Sequence, residues 1–391
     1  MSDRATTRTR MAIDVEPITD EPTFARLGDD WDALFAETPA RTGFQSFAWI
    51  AACRRFASAG DRRLFVLAVR DGSETIGIVP TELGPHGDLC FAGDAVSNYL
   101  GPVYRGARLR DVVSAVAAFI AAERSIRLVD WRGLPGWSPF LAAWRAADTP
   151  AFAAPRVVHT ARCPLVDLSP GWTGVVGRRS SDSRNALARK WKALARVGRV
   201  GVTEARDPDA VRAALPAMFR MFAERWAGRH ESGGFASRFR TFHEHAAPAL
   251  AAAGHVRLSL LHIDGDPIAF SYGIVGERGT LSYVLAHDAA FATHSPGALL
   301  LARVLEAACE RGDTEYDLSL GDEHYKSAWA TGARDVFRVV RWRDRSTAVV
   351  RGALRSLGSR AWDAARAIGP ARELRREGLR GWLRRPRPDE T

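Results

Sequence analysis

The sequence predicts an α/β (α+β) protein built from two copies of one domain, each a mixed, mainly antiparallel sheet flanked by helices. Hairpin signals occur twice, at Asp71-Gly72 and Asp264-Gly265, 193 residues apart. Both residue types tolerate the positive φ of a tight turn, and apolar runs flank both pairs. A helix-length apolar segment and a short apolar strand follow each hairpin. This matched order of elements indicates an internal duplication.

The first half begins with apolar residues at the spacing of one helix face: Phe24, Leu27, Trp31, Leu34 and Phe35. Strands are predicted at 63–70, 74–80 and near Cys90–Phe91, a loop at 93–104, a helix at 110–124 and a strand at 126–131. A crossover helix of this length joins parallel strands, and the connection should be right-handed.

The second half repeats this order. Its opening helix carries an apolar stripe from Val211 to Trp226. Strands at 255–263, 267–275 and 280–286, a helix at 296–311 and a strand at 315–320 follow. Pro155, Pro164 and Pro170 predict irregular structure at the boundary, near 156–171. The sequence therefore divides into domains at 12–160 and 165–345 and a basic helical tail at 346–391.

Composition excludes several classes of protein. The chain has 391 residues, 46% hydrophobic and 26% charged, as in an ordinary globular protein and unlike disordered or fibrous chains. No run approaches the ~18 apolar residues of a membrane span, and no secretory signal is seen. Four widely spaced cysteines favour reduced thiols and a cytoplasmic, bacterial protein without a cysteine zinc site.

The net charge of +10 is concentrated in two segments. Residues 178–199 carry eight basic side chains against one acid, and residues 351–391 carry eleven arginines against five acids. Local basic segments favour anionic partners such as phosphates, nucleic acid or a lipid surface. The tail at 351–391 could form a basic amphipathic helix on the inner membrane surface, or a packed or solvated helix.

A helix start at Ser295-Pro296-Gly297 is the first feature that carries chemistry. Serine suits the N-cap and proline the first helical position. The N–H groups of Gly297 and Ala298, together with the helix dipole, would then favour a phosphate or pyrophosphate. An ordinary capped helix is the alternative.

The strands at 281–286 and 315–320 should be parallel neighbours joined by that helix. A ligand outside their carboxyl ends would meet His287, Asp288, Gly321, Asp322 and Glu323. The segment 321–329 packs acidic, imidazole, phenol, ammonium and indole groups into nine residues. It indicates a site, or else a helix start with Tyr325 and Trp329 packed inward.

The pattern YVLAHDAAFATHSPGALLL…ACERG…YDLSLGDEHYKSAWA, preceded by RLSLLHIDGDPIAFSYG, resembles the CelD/BcsL-type acetyltransferase domain of the GNAT superfamily. This group is similar to the FemAB-like aminoacyltransferases, and the resemblance covers about 184–329. It implies a tandem GNAT-like fold, with the second domain as an N-acetyltransferase.

The resemblance also implies a reaction and a site. Acetyl-CoA or another acyl-CoA would acylate an amine, or less often a hydroxyl, without a metal. The pantetheine arm would lie between the two parallel strands, beside Ala286. The pyrophosphate would rest on the helix start at His294, Ser295, Gly297 and Ala298.

Position at the mouth of the sheet suggests roles for several further residues. Asp288, Glu323 and His287 are candidate bases, and Tyr325 is a candidate acid for the leaving thiolate. Lys326 would bind an anion, and Tyr272 and Trp226 would contact the acceptor.

Three functional hypotheses remain open. The acceptor of an acyl-CoA enzyme would be a small molecule or an envelope or polysaccharide precursor. A FemAB-like enzyme would use charged tRNA, the one hypothesis that involves nucleic acid. A non-catalytic module would bind an envelope glycan. The sequence leaves the oligomeric state open.

Overall fold

Two β-sheets organise the protein, whose computed structural model describes residues 13–58, 60–225, 234–321 and 324–343. One sheet has four strands and lies in the first half of the chain. The other has eleven strands and runs through both halves. The predicted α/β fold class, with mixed and mainly antiparallel sheets flanked by helices, is confirmed.

The first half contains these strands and helices: β1 (Ile13–Ile18), α1 (Glu21–Arg26), α2 (Gly28–Glu37), α3 (Phe47–Phe56), β2 (Arg63–Leu64), β3 (Val66–Asp71), β4 (Glu74–Val79), β5 (Thr81–Leu83), β6 (Asp88–Phe91), β7 (Val103–Tyr104), α4 (Leu109–Ala122), β8 (Leu128–Pro135) and α5 (Pro139–Ala146).

The second half contains these strands and helices: β9 (Arg156–Asp167), α6 (Gly171–Gly177), α7 (Ser181–Leu194), β10 (Val200–Ala205), α8 (Pro208–Arg225), α9 (Arg240–Ala252), β11 (Val256–Ile263), β12 (Asp266–Gly276), β13 (Gly279–His287), α10 (Pro296–Glu310), β14 (Glu315–Asp317), α11 (His324–Ser327) and β15 (Gly332–Trp342).

Both predicted hairpins form where the Asp-Gly pairs lie. β3 pairs antiparallel with β4, and Gly72 between them has φ +63°. β11 pairs antiparallel with β12, and Asp264 and Gly265 have φ +52° and +100°. In the second hairpin Asp264 and Gly265 are the two central residues, and both adopt the left-handed conformation for which Asp-Gly is suited. In the first hairpin Asp71 ends β3 opposite Glu74, so Gly72 and Ser73 form the turn, one residue later than predicted.

Both predicted crossovers also form. α4 joins β6 to β8 as parallel neighbours, and α10 joins β13 to β14 in the same way. The repeated order of hairpin, crossover helix and closing strand, predicted as an internal duplication, is therefore present in both halves.

The predicted irregular boundary at 156–171 is wrong, because β9 occupies most of it. Pro164 is accommodated inside this strand: it lies opposite Ala333 of β15, and its carbonyl accepts the Leu318 N–H at 2.8 Å. A proline in a strand lacks only its own N–H, so this position tolerates it. The signal from three prolines did not identify a linker.

β9 and β15 join the two halves in one sheet. β15 pairs with β9 along one edge and with β8 along the other. The strand order is β10-β11-β12-β13-β14-β9-β15-β8-β6-β5-β2. The halves thus share backbone hydrogen bonds as well as side-chain contacts.

Three other elements differ from the prediction in their bounds. The helix over Phe24–Phe35 is interrupted at Leu27, giving α1 and α2. The strand 63–70 is interrupted at Phe65. The strand 315–320 is shortened to Glu315–Asp317, because the chain leaves β13 after Asp317.

The hydrophobic core has three clusters, of which one bridges the halves. In that cluster Trp49 of α3 packs edge-on against Phe242 of α9, with ring centroids 4.9 Å apart. Tyr283 of β13 contacts the same tryptophan at 5.7 Å. Packing across the halves therefore surrounds the middle of β13.

None of the helices in the described ranges is long and apolar enough to cross a membrane. The tail at 351–391, for which a membrane-surface helix is one hypothesis, lies outside the described residues.

Candidate functional site

The parallel strands β13 and β14 separate after a short common run. They pair through Gly279–Glu315, Thr280–Tyr316 and Leu281–Asp317. β13 then continues for six residues to His287, about 20 Å at the usual rise per residue. The chain after β14 instead follows β9, because the Leu318 N–H donates a hydrogen bond to the Pro164 carbonyl. Over this length no strand of the described ranges pairs with the edge of β13 that faced β14.

A bulge lies at the start of the separation. β13 carries one extra residue, Tyr283, between its pairs with Tyr272 and Gly273 of β12. The Tyr283 hydroxyl donates a hydrogen bond to the Val96 carbonyl of the first half at 2.7 Å. Bulges bend a strand and often lie beside functional sites.

The helix start of α10 lies at the open end of the gap. Ser295 is left-handed, with φ +53°, and its carbonyl accepts the N–H groups of Ala298 and Leu299 at 3.0 and 3.2 Å. The predicted availability of the Ala298 N–H is therefore wrong. Pro296 has no N–H, and the Gly297 N–H has no acceptor among the described residues. One amide remains for an anion.

Lys190 brings the basic segment to this helix start. Its ammonium group, on α7, donates a hydrogen bond to the Ser295 hydroxyl. Ser295 therefore occupies the N-cap position without capping through its side chain. A lysine ammonium, an unpaired amide and the positive end of a helix dipole lie together here, which is the chemistry that binds a phosphate.

His287 lies beside the same helix start. A β-carbon placed on Gly297 would lie 3.4 Å from His287 Nδ1. Burial lowers the pKa of His287 below its ordinary value, and the nearby Arg225 guanidinium lowers it further. The imidazole is therefore neutral at pH 7 and can accept a proton.

Asp288 is held in place by two partners. Its carboxylate accepts the Ala290 N–H at 2.9 Å and pairs with the Arg220 guanidinium at 3.0 Å. Burial alone would raise the pKa of Asp288, but these two partners outweigh burial and lower it. Asp288 is thus a stably ionised carboxylate with low basicity.

The segment after β14 packs largely against the hydrophobic core. Lys326 of α11 is buried and donates a hydrogen bond to the Leu320 carbonyl at 2.5 Å. Tyr325 packs against the core cluster that contains Trp329, which stacks with Trp172 at 6.1 Å. The predicted inward packing of Tyr325 and Trp329 is present. Asp322 and Glu323 lie outside the described residues.

The predicted acceptor contacts are not brought together in the described ranges. Tyr272 is fully buried, which raises its pKa, and its ring lies 5.8 Å from that of His243. Trp226 lies outside the described residues. Ala286, a predicted neighbour of the donor, is buried on β13 opposite Phe270. His294 ends a short 3-10 helix before α10.

Asp317 was not singled out as a site residue from the sequence. It ends β14, opposite Leu281, where the two strands part. It accepts the Tyr99 hydroxyl at 2.8 Å and the Ser319 N–H at 2.6 Å. Burial raises the pKa of Asp317 to about 6, even though both hydrogen bonds lower it. The sequence feature that could have identified Asp317 is a carboxylate within the short apolar run that precedes Gly321.

The described residues contain no group of three or more His, Cys, Asp or Glu side chains that could hold a metal ion. The site consists of a cationic, phosphate-sized helix start at one end of the gap and a buried carboxylate at the other.

Comparison with protein-family models supports the likeness to acetyltransferases. Residues 181–327 match the acetyltransferase (GNAT) domain. This range begins with α7, which carries Lys190, and includes β13, α10 and β14. This segment of the second half is therefore similar to a GNAT-type acetyltransferase domain. No curated protein sequence gives a significant match to the chain.

Solved structures share the fold over most of the chain. L-PGS from Bacillus licheniformis matches with a TM-score of 0.54 and 14% identity, over 87% of this chain and 97% of that one. FemX matches with a TM-score of 0.51 and 12% identity, over 82% and 96%. A conserved protein of unknown function from Bacteroides thetaiotaomicron matches with 0.51 and 15%, over 83% and 99%. At these identities the likeness concerns the fold.

Proposed function

We propose that the protein transfers an acetyl or other acyl group from an acyl-CoA to an amine, or to a hydroxyl, through its second half. The observation that carries this proposal is the gap between β13 and β14, with Lys190 and the start of α10 at its open end. An extended pantetheine arm has about the length of that gap, and a strand edge without a partner offers it backbone groups.

Different site residues would contact the pyrophosphate and the pantetheine arm of the acyl-CoA. His294, Ser295 and the Gly297 N–H would hold the pyrophosphate together with Lys190, and Ala286 would lie along the pantetheine arm. The Ala298 N–H, which donates to the Ser295 carbonyl, is not part of this set. His287 lies beside the same helix start and would act there as a neutral hydrogen-bonding or proton-accepting group. Asp288 would position Arg220.

The chemistry requires few groups. A base removes a proton from the acceptor ammonium, backbone donors stabilise the oxyanion, and an acid protonates the leaving thiolate. Tyr325 remains our proposed acid. Glu323 remains a proposed base, and Lys326, Tyr272 and Trp226 remain proposed contacts of the acceptor. The acceptor would be a small molecule or an envelope or polysaccharide precursor, as in CelD/BcsL-type enzymes.

Binding of acetyl-CoA to the full chain, measured by titration calorimetry, tests this proposal. We expect saturable binding, competition by adenosine 3′,5′-bisphosphate and weaker binding for Lys190→Gln. Lys192→Gln is the matched control, because Lys192 lies on the exposed face of the same helix. Absence of binding to acetyl-CoA and to longer acyl-CoA species would contradict the proposal.

A second candidate function is aminoacyl transfer from charged tRNA. One observation favours it: Arg189 and Lys192 of α7 and Arg196 just after it have the i, i+3, i+7 spacing of one helix face and are exposed. None of the three forms an ion pair with another described residue. FemX shares the fold. A filter-binding titration with tRNA tests this candidate, since affinity should fall steeply as salt rises.

A further inference from the structure

A cavity of about 210 Å³ lies between the two halves, on the side of the β13–β14 pair away from the start of α10. Arg41 and Trp137 of the first half line it, together with Arg278, Glu315, Asp317 and Arg334 of the second. The cavity reaches Asp317, where β13 and β14 separate. Asp317 therefore borders both the cavity and the closed end of the proposed donor channel.

Asp317 lines the cavity with a carboxylate that is only 3% exposed. Thr42 also lines the cavity, is 4% exposed, and its hydroxyl has no hydrogen-bond partner among the described residues. A buried hydroxyl without a partner is costly, and a bound polar ligand would satisfy it. These two groups point to a polar occupant.

The charges around the cavity mostly neutralise one another. Arg334 makes two hydrogen bonds of 2.5 Å with Glu315, and Arg41 pairs with Glu277 at 3.6 Å. Arg278 differs, since it is 61% exposed and its one ion pair, with Glu315, spans 3.8 Å. The groups with charge left for a ligand are thus Asp317 at the base and Arg278 at the rim.

The distance between these two groups can be bounded through Glu315. The Arg278 guanidinium lies 3.8 Å from the Glu315 carboxylate, and Glu315 precedes Asp317 by two residues on the same face of β14, about 7 Å away. The two charges therefore lie within roughly 10 Å of each other. The cavity is smaller than the ~300–1,000 Å³ of most ligand pockets, so it fits one end of an acceptor.

We propose that this cavity binds the acceptor, and that the acceptor is a primary amine with an anionic group about 10 Å away, the amine at Asp317 and the anion at Arg278. This inference rests on the proposed function and names the substrate class of the same site.

In this arrangement Asp317 replaces Glu323 as the base, and the amine nitrogen replaces Tyr325 as the source of the thiolate proton. The cavity residues replace Lys326, Tyr272 and Trp226 as the contacts of the acceptor. The Asp317 carboxylate takes one proton from the ammonium group, and the amine nitrogen attacks the thioester carbonyl carbon. A C–N bond forms, the C–S bond breaks, and the departing thiolate takes the second proton from nitrogen. The products are an amide and the free thiol of coenzyme A. A carboxyl with a pKa near 6 is well suited to accept a proton near neutral pH.

The test measures thiol release from acetyl-CoA with 8-aminooctanoate as the probe. Octylamine lacks the anion and octanoate lacks the amine. We expect 8-aminooctanoate to be acetylated with a kcat/KM about ten-fold above that of octylamine, and octanoate to give only background hydrolysis. Arg278→Gln should raise KM for 8-aminooctanoate about ten-fold with little change in kcat, and so abolish the preference.

Asp317→Asn should lower kcat at least about 100-fold, the range of a positioned base. It should also remove the decline in rate on the acid side of pH 6. Asp335→Asn is the matched control, since Asp335 is half exposed and pairs with His159 outside the cavity. The melting temperature and acetyl-CoA binding of each variant distinguish a variant that fails to fold from a folded variant that lacks only the base.

Two results would overturn the inference and leave the proposed function intact. One is a protein that binds acetyl-CoA but acetylates 8-aminooctanoate no better than octylamine, or acetylates neither. The other is a folded Asp317→Asn protein with the kcat of the original protein. A protein that binds no acyl-CoA would instead overturn the proposed function, and this inference with it.

Discussion

The Lys190 ammonium group donates a hydrogen bond to the Ser295 hydroxyl, although the two residues lie 105 positions apart in the chain. α7 carries the lysine and α10 begins after the serine. The contact places a fixed positive charge at a helix N-terminus that already favours anions. Two sequence features that each indicated an anionic ligand thus converge on one place.

Replacement of Lys190 by glutamine should weaken acetyl-CoA binding about ten-fold, because a charge-assisted contact to phosphate is lost. Lys192→Gln should change affinity less than two-fold at 150 mM salt, since exposed charges are screened. Calorimetric titrations of both variants check this. Equal losses in the two variants would mean that general electrostatic attraction, and not the Ser295 contact, governs binding.

Replacement of Gly297 by alanine should also weaken acetyl-CoA binding about ten-fold. The added methyl group would lie 3.4 Å from His287 Nδ1, an ordinary contact, so the fold should tolerate it. The methyl would, however, crowd the approach of a phosphate to the Gly297 N–H. In Gly177→Ala, the control at the end of α6, a β-carbon meets no other atom within 4 Å. Unchanged affinity in Gly297→Ala would place the phosphate elsewhere.

Replacement of Arg338 by methionine should lower the free energy of unfolding by about 3 kcal/mol. Arg338 of β15 makes hydrogen bonds of 2.6 and 2.8 Å with Asp130 of β8, and both side chains are buried. Removing the arginine leaves a buried carboxylate whose remaining ion pair among the described residues is with Arg132, at 3.2 Å.

Urea denaturation measures this loss. Arg303→Met, which breaks an exposed pair with Glu306, should cost less than about 1 kcal/mol. The double replacement Asp130→Asn with Arg338→Met should recover part of the stability, because no uncompensated charge remains. A single Arg338→Met variant as stable as the control would show that the two halves do not depend on this pair.

Stability should fall between pH 6.5 and pH 4 through His243. Burial lowers the pKa of this histidine to about 4, although the hydrogen bond with the Gly234 carbonyl raises it. In this window the unfolded chain binds the proton and the folded protein does not, so acid favours unfolding, by up to about 3 kcal/mol at pH 4. Below pH 4 this contribution stays constant.

Urea denaturation of His243→Gln against pH isolates the contribution of His243. The original protein should lose more stability than His243→Gln on acidification, and His245→Gln, at an exposed neighbour, should behave like the original. Comparing proteins at each pH cancels the contributions of other groups, including Asp317, whose raised pKa acts in the opposite direction. Parallel curves for all three proteins would mean that His243 titrates normally in the folded state.

Deletion of residues 351–391 should reduce binding to vesicles that contain anionic phosphatidylglycerol. The segment carries a net charge of +6, and each basic residue near such a surface contributes about 1 kcal/mol. Vesicle sedimentation measures the change, with neutral phosphatidylcholine vesicles as the control. If the deletion leaves vesicle binding unchanged, residues 351–391 do not contribute to membrane binding.

Local signals predicted the repeated elements well. The turns at Gly72 and at Asp264-Gly265 require only residues that tolerate positive φ, and such preferences depend on the local chain. The apolar run at 298–308 predicted α10 because helical periodicity is likewise local. The prolines at 155–170 gave a wrong prediction of irregular structure, because β9 contains Pro164. Whether a proline interrupts a strand depends on whether the neighbouring strand needs its missing N–H.

The sequence by itself determined the α/β class, the two hairpins, the two parallel crossovers and the helix start at Ser295, because each follows from contacts within a few residues. Tertiary structure alone decided that β9 and β15 join the halves, that Lys190 meets Ser295, and that Asp317 lies where β13 and β14 part beside a cavity. These relationships connect residues far apart in the chain, and their strength comes from burial and charge that exist only once the halves pack together.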